Sequence, residues 1–259
     1  MKFVRFIHQD QTFRGVLGDD SVEVIEGSFL EVYHPTGTHY PLGDVRLLPP
    51  VSPSKIICVA HNYRGLIQEI GEEFPAEPVF FLKPPSSLIG AKDPIVFPEG
   101  AERVIFEGEL ALVIKDRMKD VPENEALDHV LGYTCFNDVT ERAMIERNQI
   151  DLTPAKGFDT FGPIGPCVVT DLNPNTLDLR TYLNGKLMQE DNTANCIFRV
   201  EYILHYLSRI MTLCPGDIVS TGTPQGIAAI QPGDVVVVEV EGIGRVKNPV
   251  ISKSQSQGT

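Results

Sequence analysis

The sequence predicts an α+β fold that is mostly β, with few helices and a small β domain at its N-terminus. Short runs of alternating or continuous apolar residues recur between Gly- and Pro-rich turns. A single long segment carries the 3.6-residue apolar period of a helix, and no regular βαβ alternation appears. With 259 residues, 42% of them hydrophobic, the chain can build one substantial core plus a smaller satellite.

The elements follow in order. Phe3, Arg5 and Ile7 alternate with Val4, Phe6 and His8, and GVLGDDSVEVIEG reads as two strands joined at Gly18-Asp19-Asp20, a hairpin signal. The prolines and serines of LPPVSPSK, residues 48–55, mark a linker. The boundary placed there separates a small β domain, 1–50, from a larger domain, 51–259. KIICVA is a short buried strand, and HNYRGLIQEIGEE a weak helix or loop ending near Gly71. VFFLKPPSSLIG gives a strand, a turn and a second short element, and VIFEGELALVIKD a strongly alternating strand. PENEALDHV is a short helix with Pro122 in its first turn and Gly132 soon after its end. GYTCFND is another strand.

The best helix is RVEYILHYLSRIMTL, with Val200, Ile203, Leu204, Leu207, Ile210 and Met211 on one stripe and Pro215-Gly216 as the stop. His205 falls on its solvated side. GDIVSTGTPQG and GDVVVVEVEGIGRVKNPVI supply two or three further strands, and SQSQGT at the end is expected to be disordered.

Composition excludes several functions. A formal charge of −13 leaves no basic patch for nucleic acid or anionic membrane. No apolar run reaches bilayer-spanning length, and charge interrupts MKFVRFIHQDQTFRG before a signal-peptide core forms. Cys58, Cys135, Cys167, Cys196 and Cys214 are scattered and never spaced C-x-x-C, which argues for a reducing, cytoplasmic setting. His8, His34, His39, His129 and His205 show no ligand spacing, and no G-K-[ST] follows the GTPQG turn to make a phosphate loop.

Glu107 and Glu109 carry the chemistry. Side chains at i and i+2 of a strand share a face, roughly 6.5–7 Å apart, and Ala111 and Val113 continue that face with apolar groups. Two like charges on a partly buried surface need a cation or a shared proton. Asp138 closes GYTCFND and can end beside them. Three hard oxygens without a histidine cluster suit Mg²⁺ or Mn²⁺, with Ca²⁺ a third candidate. The competing reading is a solvated strand face with Asp138 as a strand-end cap.

Several motifs stand together in fixed order: KIICVAHNY, EPVFFLKPPSSLIG, FEGELALVI, GYTCFNDVTER, AKGFDTFGPIGP, LNGKLMQEDNT, TLCPGDIVSTGTPQG and QPGDVVVVEVEGIGRVKN. By these the chain resembles the fumarylacetoacetate hydrolase (FAH) family, from about the linker to Val250. The resemblance implies a β-roll or barrel-like core, usually paired as a homodimer. It puts Glu107, Glu109 and Asp138 at the metal positions and Lys156 at the lysine facing the substrate. Arg142 falls at an arginine near the metal and Thr223 at a substrate contact. Lys83, in FFLKPP, is either a further substrate-side charge or a strand-end residue.

Two departures shape the expected activity. Hydrolytic members carry a water-activating histidine and glutamate where this chain has Leu66 and Glu69, and a family glutamine is here Ile145. Leucine accepts no proton, which favours isomerisation or decarboxylation over hydrolysis. Glu69, with His61 as a compensating base, is the expected proton shuttle. The implied substrate is a short 2-oxo or dienol dicarboxylic acid from aromatic breakdown, such as 2-hydroxyhepta-2,4-diene-1,7-dioate. C–C hydrolysis of acylpyruvates, oxaloacetate decarboxylation and a non-catalytic metal-binding relative are the alternatives.

Overall fold

The computed structural model describes residues 1–147 and 152–256. Strands come first: β1 (Lys2–His8), β2 (Gln11–Leu17), β3 (Ser21–Gly27), β4 (Tyr33–Pro41), β5 (Arg46–Leu48) and β6 (Ile56–Ala60). Then follow α1 (Arg64–Ile70), β7 (Val79–Lys83), β8 (Leu88–Ile89), β9 (Ile95–Phe97), β10 (Val104–Ile105), β11 (Gly108–Ile114) and β12 (Val130–Asn137). Next are β13 (Thr140–Glu141), α2 (Arg142–Arg147), α3 (Thr153–Lys156), β14 (Gly162–Val169), β15 (Asp178–Leu183) and β16 (Lys186–Asn192). The chain continues with α4 (Val200–Ile210), β17 (Ile218–Ser220), β18 (Val235–Val240), β19 (Gly244–Ser252) and α5 (Lys253–Ser256). The fold is mostly β, as the turn spacing predicts.

One large sheet runs β4-β3-β2-β1-β14-β12-β11-β17-β6-β7, with β5 beside β1 and β8 beside β14. A second sheet runs β16-β15-β18-β19-β9, and β10 pairs with β13 alone. The first turn lies where the sequence places it, closed by Gly18 N–H on the Ser21 carbonyl at 2.8 Å. The strands of residues 1–50 do not stand apart: β1 pairs antiparallel with β14, Phe3 opposite Val168.

β11 is buried along its whole length. Leu110, Leu112 and Ile114 share a cluster with Ile203, Leu204 and Leu207 of α4. Ala111 and Val113 share another with Ile56, Cys58, Phe136 and Ile164. Each fully buried Leu or Ile contributes roughly 1.5–3 kcal/mol, so this strand is a rigid base for whatever stands at its ends. No helix among the described residues is long and apolar enough to cross a membrane.

Four expectations are corrected. VIFEGELALVIKD is two strands, because β10 leaves the large sheet to pair with β13 while β11 pairs with β12 and β17. α4 stops at Ile210, which is 50% exposed, because Met211 turns extended and Leu213 bridges to Met118. His205 is not simply solvated; its Nδ1 lies 2.8 Å from the Val121 carbonyl. Of the tail, Lys253–Ser256 forms a helical turn, and residues 257–259 lie outside the described residues. The helix over Glu123–His129 is of the tighter 3-10 type.

The linker's end is pinned by Asp217, whose side chain is fully buried. Oδ1 accepts from Ser54 N–H at 3.0 Å, Ser54 Oγ at 2.6 Å and Lys55 N–H at 3.2 Å. Oδ2 accepts from Cys214 N–H at 2.8 Å and from the Lys55 ammonium. Removing one partner of a buried pair typically costs about 3–5 kcal/mol. Asp217→Ala is therefore expected to lower the unfolding free energy by about 3 kcal/mol in a urea titration, and Asp217→Asn by less. A loss under about 0.5 kcal/mol from the alanine variant means the linker is not held there.

Candidate metal centre

The β11–β12 register sets Gly108 opposite Asn137, so Glu107 and Asp138 leave their strands side by side. Asp138 N–H donates to the Glu107 carbonyl at 2.9 Å, and Glu107 N–H to Asn137 Oδ1 at 3.0 Å. Glu109 is the second residue of β11, on the face of Ala111 and Val113. Glu107 stands just before the strand, two residues from Glu109. Glu107, Glu109 and Asp138 each offer an oxygen within 4.8 Å of the others. Their exposures are 9%, 2% and 1%, so the solvated-face reading is excluded.

Two lysines reach in. Lys156 Nζ lies 2.7 Å from Glu107 Oε2 and 2.6 Å from Asp138 Oδ2, and 4.8 Å from the centroid of the Phe81 ring. Lys83, ending β7, puts Nζ 2.6 Å from Asp138 Oδ1 and 3.1 Å from the Val139 carbonyl. Both ammonium groups are buried. Glu109 has no ion pair among the described residues; Oε2 accepts from the Ser220 hydroxyl and from Gly222 N–H at 3.0 Å.

The electrostatics follow from this layout. Burial pushes Glu109 well above the usual carboxylate range, and the charge on Asp138 adds to it against the Ser220 hydrogen bond. For Asp138 burial works the same way, but Lys156 and Lys83 outweigh it and hold the group below its ordinary value. Burial opposes the charge on Lys156, yet Asp138 and Glu107 outweigh it and raise the ammonium above the lysine range. Three carboxylates share this space with two ammonium groups; with all three ionised one negative charge is in excess, and it is the charge that burial makes costly at Glu109.

That excess fits a divalent cation. Two oxygens that share one ion at 2.0–2.6 Å lie at most about 4–5 Å apart, and this cluster meets the condition. Its donors are all carboxylate oxygens, the hard set that suits Mg²⁺, Mn²⁺ or Ca²⁺ rather than zinc.

The other predicted residues surround this centre unequally. Thr223 is 5% exposed; its Oγ1 donates to the Gly108 carbonyl at 2.9 Å and accepts from Gln189 Nε2 at 2.9 Å. Glu69 is exposed on α1, and its Oε2 accepts Gly226 N–H at 3.3 Å. It therefore holds the same loop whose Gly222 holds Glu109. His61 lies at the end of β6, with Nδ1 3.3 Å from Glu72 Oε2. Leu66 is buried, 6% exposed, beside Ile67. Arg142 opens α2, half exposed, its Nε 3.7 Å from Glu146 Oε1.

Ser220, Gly222, Asn137 and Gln189 escaped the sequence reading. Ser220 and Gly222 flank Thr221 inside the quoted STGTPQG motif, and that adjacency was the available signal. Asn137 adjoins Asp138 in GYTCFND and Gln189 lies within LNGKLMQEDNT, but neither position suggests a contact with Glu107 or Gly108.

Known proteins match along nearly the whole length. Residues 55–251 match the fumarylacetoacetate (FAA) hydrolase C-terminal family, and residues 1–50 match an N-terminal family described as Rv2993c-like. Protein Rv2993c of Mycobacterium tuberculosis is 48% identical over 223 residues, 85% of this chain and 84% of that protein. The 2-hydroxyhepta-2,4-diene-1,7-dioate isomerase from Mycobacterium marinum is 40% identical with a TM-score of 0.91, over 98% of this chain and 99% of that one. The maleylpyruvate hydrolase of Sphingobium sp. SYK-6, solved with manganese(II) and pyruvate, is 28% identical with a TM-score of 0.82, over 97% and 99%. The acidic cluster lies inside the matched 55–251 segment. The chain belongs to the fumarylacetoacetate hydrolase family.

Proposed function

We propose that this chain is a cytoplasmic, Mg²⁺- or Mn²⁺-dependent isomerase or decarboxylase of short 2-oxo or enol dicarboxylic acids. The observation that carries it is the buried Glu107–Glu109–Asp138 cluster, three convergent carboxylates with Lys156 across two of them. The similarity to the M. marinum isomerase supports the substrate class.

Glu107, Glu109 and Asp138 hold the ion in this reading. Once bound, it supplies electron withdrawal from the 2-oxo or enol oxygen, which eases loss of a proton or of carbon dioxide from the neighbouring carbon. Lys156 stabilises the negative charge that develops there, because its position is fixed by two carboxylates before substrate arrives. Lys83 backs Asp138 and keeps that ligand ionised; its substrate contact runs through the aspartate. Thr223 keeps one oxygen lone pair open toward substrate, since its proton and its other lone pair are engaged. Arg142 meets the distal carboxylate after leaving Glu146, an exposed pair worth under about 1 kcal/mol.

Glu69 of α1 moves the proton, with His61, just before that helix, as the second base. Leu66 occupies the place of a water-activating histidine and cannot accept a proton, which counts against hydrolysis. The second reading, C–C hydrolysis of an acylpyruvate, draws on the similarity to the maleylpyruvate hydrolase. A homodimer belongs to this proposal too. β7 is the edge of the large sheet, and Val79 and Leu82 stand 44% and 45% exposed along it, an apolar border for a second copy.

Glu107→Ala and Glu109→Gln are each expected to cut turnover of a dienol diacid at least about 100-fold with Mg²⁺ or Mn²⁺, followed by absorbance. Unchanged turnover and unchanged metal affinity would remove the cluster from the chemistry. Acylpyruvate cleavage faster than dienol isomerisation by the unaltered enzyme would instead favour the second reading. Light scattering is expected to return twice the 28.6 kDa chain mass, and Leu82→Asp to shift the population toward single chains. A single-chain mass for the unaltered protein rules the dimer out.

A further inference from the structure

The two glutamates of the cluster are separated by one residue, Gly108, and both of its backbone groups are held by side chains from distant segments. Its N–H donates to Gln189 Oε1 at 3.1 Å, and its carbonyl accepts from Thr223 Oγ1 at 2.9 Å. Gln189 Nε2 donates to Thr223 Oγ1 at 2.9 Å and to the Pro224 carbonyl at 2.8 Å. The bonds close a ring: Gly108 to Gln189, Gln189 to Thr223, Thr223 back to Gly108. Gln189 is 1% exposed, its oxygen and both amide hydrogens are committed, and the donors and acceptors around it allow only one orientation of the amide.

The ring acts on geometry. Holding the N–H of Gly108 fixes the peptide plane that carries the Glu107 Cα. Holding its carbonyl fixes the plane that carries the Glu109 Cα. Glycine has the widest backbone freedom of any residue, so without the ring this link between the glutamates is soft where a shared ion needs it stiff. Metal–oxygen distances tolerate only about 0.2 Å. Glycine is nonetheless required here, because a Cβ at Gly108 would strike the Thr181 hydroxyl.

We propose that Gln189 is a positioning residue for the metal centre, acting through Gly108 and together with Thr223 to set how far apart and in which direction the Glu107 and Glu109 carboxylates stand. Among the described residues its amide bonds to Gly108, Thr223 and Pro224 and to neither carboxylate; it acts on the peptide between them. The proposal rests on the metal-dependent reading above and extends it to a residue of β16, in the second sheet.

The test measures Mn²⁺ affinity of the full chain without substrate, from the electron paramagnetic resonance of free Mn²⁺. The Kd is expected to rise about 10- to 100-fold in Gln189→Met and in Thr223→Val, the range for residues that orient ligands. The double variant is expected to be no weaker than the weaker-binding single, since both side chains act on one glycine. A purely structural glutamine would lower the melting temperature of the metal-free protein and leave the Kd unmoved; that result overturns the proposal, as do additive losses in the double variant. If Gln189→Met does not fold, Thr223→Val decides alone. An unaltered protein that takes up no Mn²⁺ defeats the metal reading instead, a separate outcome.

Discussion

Three carboxylates occupy a nearly dry space with two ammonium groups, and much of the surrounding structure serves to make that tolerable. Burying a charge costs several kcal/mol unless partners replace its water. Here each acid has its own partners. Lys156 spans Glu107 and Asp138, Lys83 takes the other oxygen of Asp138, and Ser220 with Gly222 takes Glu109. The pairing of β11 with β12 brings the acids together, and the rigidity of β11 follows from apolar packing on both of its faces.

Much of this was legible in the sequence, for identifiable reasons. β1 to β3 and the turn at Gly18-Asp19-Asp20 follow from alternation and turn chemistry, and α4 from its stripe through Leu207. The acids stood out because Glu107 and Glu109 interrupt a segment otherwise built for burial. The break between β10 and β11 was not legible: VIFEGEL holds neither proline nor a turn dipeptide, and only the pairing of Val104 with Glu141 pulls the first part away. The ligand-supporting groups were hidden for another reason. Gln189 meets Gly108 across 81 residues, and Ser220 meets Glu109 across 111. Local periodicity carries no information at such range.

In the proposed reading the choice between reaction types rests on groups outside the acidic cluster. The acids and their partners stand on or beside β7, β11, β12, β17 and α3. The groups that could move a proton, Glu69 and His61, belong to α1 and the strand end before it. α1 touches the 222–226 loop through Glu69 on Gly226 and the close approach of Gly65 to the Gln225 amide. In the proposed reading the acids and the proton-handling groups thus sit on separate segments that meet at this loop.

The joining of β1 to β14 bears on how the chain can be cut. Without residues 1–50, Val168 and Val169 would lose their hydrogen-bonded neighbours, and Ile164 and Val168 would lose Phe3, Ile25 and Phe29 from their cluster. A bare apolar strand edge recruits other strands. Removal of residues 1–50 is thus expected to leave β14 as an open apolar edge able to pair with another copy.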